Sequence, residues 1–224
     1  MITTIIFDFD GTLADTLPFM RDRMLRLIKE AKATDLPDNE IIEKIKAKSY
    51  PELMKEFKIS WLKLPFILAK VYQAQMDLYN EINKIKLFPG IRKLLGRLDE
   101  KGYRLGIVSS NMKENIKKFL EVKRLTVFFE FVYCEKNIFG KEKAIRHMLT
   151  DRGLKKTEIV YIGDEVRDIE AARKAGVKII SVSWGFNSKE NLQKYQPDFL
   201  AGTAGDIEEY LKNPHYCQVG SRRA

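Results

Sequence analysis

Residues 2–7 read Ile-Thr-Thr-Ile-Ile-Phe. This apolar, β-branched run meets acids at once in Asp8 and Asp10 and predicts a buried strand over 2–8. Beyond Pro18 the period changes. Met20, Met24, Leu25, Leu27 and Ile28 recur at helical spacing, and so do Ile41, Ile42 and Ile45, then Phe66, Ile67 and Val71, then Met76, Leu78 and Tyr79. With breaks at Pro37-Asp38 and Ser49-Tyr50-Pro51, the block predicts three to five helices and no strand. After Leu87-Phe88-Pro89-Gly90 the pattern changes again. A helix over 91–101 closes on Lys101-Gly102. Strands over 104–109, 130–134, 159–163 and 178–183 then alternate with helices over 113–121, 141–151 and 165–175. Short apolar strands alternating with amphipathic helices predict a parallel sheet covered on both faces. The chain therefore divides into an α/β core, 1–16 plus 85–211, a helical insert, 17–84, and a tail, 212–224, to which the pattern assigns nothing. Segments near 12–17 and 82–89 are the expected hinges.

Composition narrows the class. The 224 residues are 45% hydrophobic and 32% charged, which is globular and large enough to bury a core without staples. Cys134 and Cys217 are too few for a disulfide framework or a multi-cysteine zinc site, and they fit a reducing compartment. The longest apolar stretch, 61–72, is broken by Lys63, Pro65 and Lys70, so no membrane span is expected and the location expected is cytoplasmic. The net charge of +9 is spread out: residues 18–88 carry 14 basic and 10 acidic residues, and the remainder carries 26 and 21. Without a basic block, the charge predicts a solvated lysine-rich surface and no nucleic-acid partner.

In open α/β sheets ligands bind at the carboxyl ends of the strands. The first strand ends in Asp8-Phe9-Asp10-Gly11-Thr12 and the second in Ser109-Ser110-Asn111. The third leads to Gly140-Lys141-Glu142-Lys143, and the fourth ends in Gly163-Asp164-Glu165-Val166-Arg167-Asp168. Asp8 and Asp10 together with Asp164, and with Glu165 or Asp168 close by, would repel one another in a desolvated crevice. A cation resolves this. Hard carboxylate oxygens with no Cys or His near them suit Mg²⁺ rather than zinc. A carboxylate beside such an ion can attack phosphorus. Asp8 is the expected nucleophile, and Asp10 the acid that protonates the leaving oxygen and then takes a proton from water. The charge on the transferring phosphoryl group calls for donors: the Ser109 hydroxyl, backbone N–H groups near Ser110 and Asn111, and one lysine. Lys141 is favoured over Lys143, because Gly140 lets the backbone come close.

Four blocks in this order resemble the haloacid dehalogenase-like hydrolase superfamily. Asp8-Phe9-Asp10-Gly11-Thr12-Leu13-Ala14-Asp15-Thr16 is similar to its signature as phosphatases carry it. Residues 163–172 followed by Ala175-Gly176 resemble its last acidic motif, and Leu87-Phe88-Pro89-Gly90 resembles the return from its cap. Trp184-Gly185-Phe186 with Pro197-Asp198 resembles the C-terminal stretch of phosphoglycolate phosphatase-like members. The resemblance implies a Rossmann-like core, an inserted helical cap, and Mg²⁺-dependent hydrolysis of a small phosphorylated metabolite through an aspartyl-phosphate. It implies that Asp8, Asp10 and Asp164 hold the metal, that Ser109 and Lys141 serve the phosphate, and that Glu165 or Asp168 is an outer or additional ligand. Lys141 is not followed by proline, as it often is in phosphoglycolate phosphatase-like members, and the cap matches none of known specificity. A phosphosugar mutase would keep every core residue. A dehalogenase would need neither Mg²⁺ nor an acid such as Asp10. A non-catalytic basic module binding nucleic acid or protein would have no use for Asp8 and Asp10 together. Arg21, Arg23 and Arg26 on the first cap helix are candidates for reading an acidic leaving group.

Overall fold

The computed structural model describes residues 1–30, 34–135 and 140–212. Segment 213–224, which makes up nearly all of the predicted tail and includes Cys217, lies outside the described residues. The chain starts with β1 (Thr4–Phe7) and a two-residue strand β2 (Ala14–Asp15). Four helices follow: α1 (Leu17–Glu30), α2 (Asp38–Ala47), α3 (Tyr50–Glu56) and α4 (Leu64–Glu81). A second short strand, β3 (Lys86–Leu87), leads into α5 (Ile91–Glu100), β4 (Arg104–Ser109), α6 (Lys113–Val122) and β5 (Phe131–Cys134). The remainder is α7 (Lys141–Asp151), β6 (Ile159–Gly163), α8 (Val166–Ala175), β7 (Lys178–Val182), α9 (Lys189–Lys194), β8 (Phe199–Ala201) and α10 (Ala204–Lys212).

The main sheet is parallel, in the order β5-β4-β1-β6-β7-β8. This is the parallel α/β sheet that the alternation predicts and the Rossmann-like core that the resemblance implies, with one strand more: β8 falls in a stretch where the periodicity shows no strand. Along β1 the side chains alternate between the two faces. Ile5 and Phe7 join Ile107, Ile162 and Val182 against α5, α6 and α10. Ile6 faces the other way with Val108, Tyr161 and Ile179, against α7 and α8. Each such fully buried side chain contributes about 1.5–3 kcal/mol relative to exposure, so the centre of the sheet is a firm base for whatever stands at its end.

The helical insert has its own small core of Ile28, Ile41, Ile45, Leu53 and Phe57. One of its helices starts where the sequence can cap it: Ser49 and Glu52 close a capping box on α3, with Pro51 in its first turn. The two crossings between core and insert pair as an antiparallel ladder, Ala14 opposite Leu87 and Asp15 opposite Lys86. The insert also touches the core directly. Gln75 Nε2 donates to the Ser110 carbonyl at 3.0 Å, and Ser188 N–H donates to the Lys46 carbonyl at 2.9 Å. Among the described residues no helix is long and apolar enough to cross a membrane.

Candidate active site

The strand order reverses at β1: the chain moves outward through β4 and β5, then returns to β1's other side as β6. The carboxyl ends of β4, β1 and β6 are therefore adjacent, and residues more than a hundred positions apart meet there. Phe7 is in register with both Ile107 and Ile162, so Asp8 stands one step beyond, level with the ends of both neighbours.

Asp8 is buried, and both its oxygens are held. Oδ1 accepts the N–H of Phe9 at 2.7 Å and Oδ2 accepts Lys141 Nζ at 2.6 Å. Lys141 opens α7, where its side chain is buried; the same ammonium also donates to Asp168 Oδ1. Lys143 faces solvent. Asp168, in the first turn of α8, accepts the N–H groups of Asp164 and Glu165 on its other oxygen, each at 3.0 Å, and so fixes the loop after β6. A helix cap and a lysine clamp are thus built from the same carboxylate.

Asp164 sits in a slot between two loops. Thr12 Oγ1 donates to its Oδ1 at 2.8 Å and Phe186 N–H to its Oδ2 at 2.7 Å. Gly11, with φ +72°, and Gly185 leave the room: a Cβ at Gly11 would lie 2.1 Å from Asp164 Oδ2, and one at Gly185 2.2 Å from Asp164 Cβ. Asp10 leans the other way, toward β4. Its Oδ1 accepts Thr16 Oγ1 at 2.8 Å, and Asn111 Nδ2 reaches both its oxygens at 3.0 and 2.9 Å. Ser109 Oγ accepts the N–H of Asn111 at 3.1 Å, and Ser110 Oγ accepts Arg167 Nη1, also at 3.1 Å. Arg167 in turn pairs with Glu165 at 2.6 Å.

Charge balance tests whether a cation fits. Five acids, Asp8, Asp10, Asp164, Glu165 and Asp168, face two cations, Lys141 and Arg167. Burial pushes the Asp8 carboxyl up against the pull of Lys141. Burial first, then Glu165, Asp168 and Asp8, drive Asp164 well above the ordinary carboxylate range. Loss of solvent and the charge of Asp8 push Asp10 to about 6, against the hydrogen bonds from Asn111 and Thr16. For Lys141 burial acts to lower the value, but Asp168 and Asp8 outweigh it and hold the ammonium charged. Asp8, Asp164 and Asp168 each offer an oxygen within 4.8 Å of the others. All three carboxylates also accept hydrogen bonds on both oxygens, so a metal ion would share its ligand oxygens with these donors. An all-oxygen set with excess negative charge fits a hard divalent cation.

The sequence reading names Asp8, Asp10, Ser109, Ser110, Asn111, Lys141, Asp164, Glu165 and Asp168, and the fold gathers all of them around this crevice. It assigns no role to Thr12, Thr16 or Arg167, although all three fall inside the motifs. Thr12 and Thr16 follow the first acidic pair at fixed offsets, which is the only local signal they carry. Arg167 lies inside the last acidic block, where a surface helix explains it equally well.

The chain matches the family model described as haloacid dehalogenase-like hydrolase over residues 5–182. It is 35% identical to a phosphoglycolate phosphatase of Synechococcus elongatus over 208 residues, covering 91% of this chain and 94% of that one. It is 29% identical to pyrophosphatase PpaX of Listeria innocua over 211 residues, covering 92% and 94%. Its fold is similar to that of a haloacid dehalogenase-like family hydrolase from Streptococcus pneumoniae, with a TM-score of 0.75, 24% identity, and 94% and 98% of the two chains covered.

Proposed function

The chain belongs to the haloacid dehalogenase-like hydrolase family, and from that premise we propose that it is a Mg²⁺-dependent phosphatase acting on a small phosphate monoester through an aspartyl-phosphate on Asp8. The observation that carries this reading is the division of labour between two acids two residues apart. Asp8 is fixed by Phe9 N–H and Lys141, and Asp10 is fixed separately by Thr16 and Asn111.

An Asp8 oxygen forms a bond to phosphorus while the ester P–O bond breaks. Asp10 gives its proton to the departing alcohol oxygen. It then takes a proton from the water that attacks the aspartyl-phosphate, which releases inorganic phosphate and restores Asp8. Lys141 lies against Asp8 and offers its charge to the phosphoryl oxygens, with the Ser109 hydroxyl and the Ser110 N–H as further donors, while the Asn111 N–H is held by Ser109 Oγ. The Asp8 and Asp164 carboxylates and the Asp10 backbone carbonyl would hold Mg²⁺, which would supply the charge neutralisation needed for an anionic carboxylate to approach an anionic phosphate. Glu165 and Asp168 support this set from behind, Asp168 by holding Lys141. A dehalogenase would have no oxygen to protonate, and the three hydrogen bonds that aim Asp10 favour a leaving group that needs a proton.

The test is phosphate release from a panel of phosphomonoesters with and without Mg²⁺, run beside Asp8→Asn. Release only with the metal, and its loss in the variant, are expected. Turnover by Asp8→Asn at the wild-type rate would overturn the mechanism.

A further inference from the structure

Resting on the phosphatase reading, we propose that the leaving group is apolar: the site takes phosphate monoesters of alkyl or similarly hydrocarbon-rich alcohols in preference to acidic ones. A cavity of about 400 Å³ lies among the helices of the insert and runs down to Asp10, Ser110, Asp164 and Arg167. Away from those residues its walls are mainly hydrocarbon, formed by Met20, Met24, Leu27, Met54, Phe57 and Ile67 among others. A leaving group bonded to phosphorus beside Asp8 has this space to enter. Its size is within the range of small-molecule sites. Three methionines make the wall polarizable and able to fit more than one chain shape.

Charge argues in the same direction. The basic residues of α1 do not line the cavity. Arg23 pairs with Asp77 at 3.2 Å and Arg26 with Asp22 at 3.0 Å, while Arg21 borders a separate small void. The cations that do line it are Lys63, which is exposed, and Arg167, which is committed to Glu165 and Ser110. Glu30, also on the wall, is exposed and paired with Lys70 at 2.9 Å. A carboxylate or second phosphate deep in this cavity would lose its hydration with, among the described residues, only the exposed Lys63 uncommitted to meet it. A methylene gains from the same desolvation.

The experiment compares kcat/KM of the Mg²⁺-loaded protein for ethyl, butyl and hexyl phosphate with that for phosphoglycolate and pyrophosphate. Expected is a rise of up to about fourfold per methylene, with hexyl phosphate preferred over both acidic substrates. Leu27→Glu should collapse the hexyl-to-ethyl ratio toward one. Because that variant introduces a charge into an apolar wall and can fail to fold, calorimetry of hexylphosphonate and methylphosphonate binding to the wild-type protein provides a second measurement. Tighter binding of the hexyl compound with a negative heat-capacity change is expected. A flat alkyl series with equal phosphonate affinities, or preference for phosphoglycolate, would overturn the proposal while leaving the phosphatase reading intact. Absence of all phosphate release would overturn that reading instead, and the phosphonate comparison would still decide this one.

Discussion

The Nζ of Lys141 lies 2.6 Å from Oδ2 of Asp8, although the two residues are 133 positions apart in the chain. The same ammonium holds Asp168, so one buried cation separates two buried carboxylates. Removing it leaves both acids facing each other without compensation. Lys141→Met should therefore lower stability by about 3–5 kcal/mol in metal-free protein, read from denaturant melts. It should also reduce kcat by about 10²–10³-fold through the missing phosphoryl donor. Lys141→Arg should not restore activity, because a planar guanidinium cannot replace a compact ammonium in a filled slot. Wild-type stability and turnover in Lys141→Met would show that the clamp is not needed.

The slot around Asp164 makes a second prediction about a residue with no side chain. Gly11→Ala places a Cβ 2.1 Å from Asp164 Oδ2 and forces alanine to φ +72°. The backbone conformation alone costs about 1–2 kcal/mol, and the clash displaces the carboxylate expected to meet the ion. Mg²⁺ affinity, measured by calorimetry and by the metal-induced rise in Tm, should fall about 10–100-fold. Gly96→Ala is the matched control. It lies inside α5 with nothing within 4 Å of the added carbon, and it should gain about 0.5–1 kcal/mol. Equal Mg²⁺ affinity in the wild type and Gly11→Ala would separate Asp164 from metal binding.

These two sites also show what can be read from the sequence and what cannot. The alternation of apolar strands and amphipathic helices was enough to predict a parallel sheet with a helical insert, because burial on both faces leaves a strong periodic trace. The acids and Lys141 were legible because charged residues at predicted strand ends need a chemical reason. β8 was not, since three residues, Phe199–Ala201, carry too little period to stand out. Nor was the partnership of Asp10 with Asn111, which depends on β4 lying beside β1 and on nothing local. The α1 arginines point the other way. At the sequence level they suggested an acidic leaving group, but the folded insert turns Arg23 toward Asp77 and Arg26 toward Asp22, outside the cavity.

Away from the crevice, Glu208 fixes the C-terminal helix. Hydrogen bonds from Lys101, then Lys212, then Arg97 hold its carboxyl at about 2, against an ordinary 4.5. A carboxyl lowered by folding stabilises the native state at pH values above its unfolded value, and that contribution is lost as pH falls through the folded one. Glu208→Gln should therefore melt at a lower temperature than wild type at neutral pH. The gap should be constant above about pH 5 and shrink as pH falls from about 4.5 toward 2. Comparing the variant with wild type at each pH cancels the other acids that titrate in that range. A gap that does not change between pH 7 and pH 2.5 would remove Glu208 from the acid sensitivity of the fold.

The sequence places Asn111 only in the phosphate-binding turn after β4, whereas the fold gives its side chain a partner of its own. As a phosphate donor it would act on substrate binding, but in this structure its amide reaches both oxygens of Asp10. The amide's orientation is set by its own Oδ1, which accepts the N–H of Met112 at 2.7 Å and Asn115 Nδ2 at 2.8 Å. Loss of hydrogen bonds to a charged group costs about 1.5–3 kcal/mol, so Asn111→Ala should lower kcat about 10–100-fold with little change in KM. If Asn111 aims Asp10 at the leaving oxygen, the loss should depend on that oxygen's basicity. It should be large for an alkyl phosphate, whose alkoxide must be protonated, and slight for p-nitrophenyl phosphate, whose phenolate leaves without help. Asn111→Asp, with an anion facing Asp10, should be worse than alanine for the alkyl ester. A rise in KM that is equal for both esters, at constant kcat, would instead assign Asn111 to the phosphate.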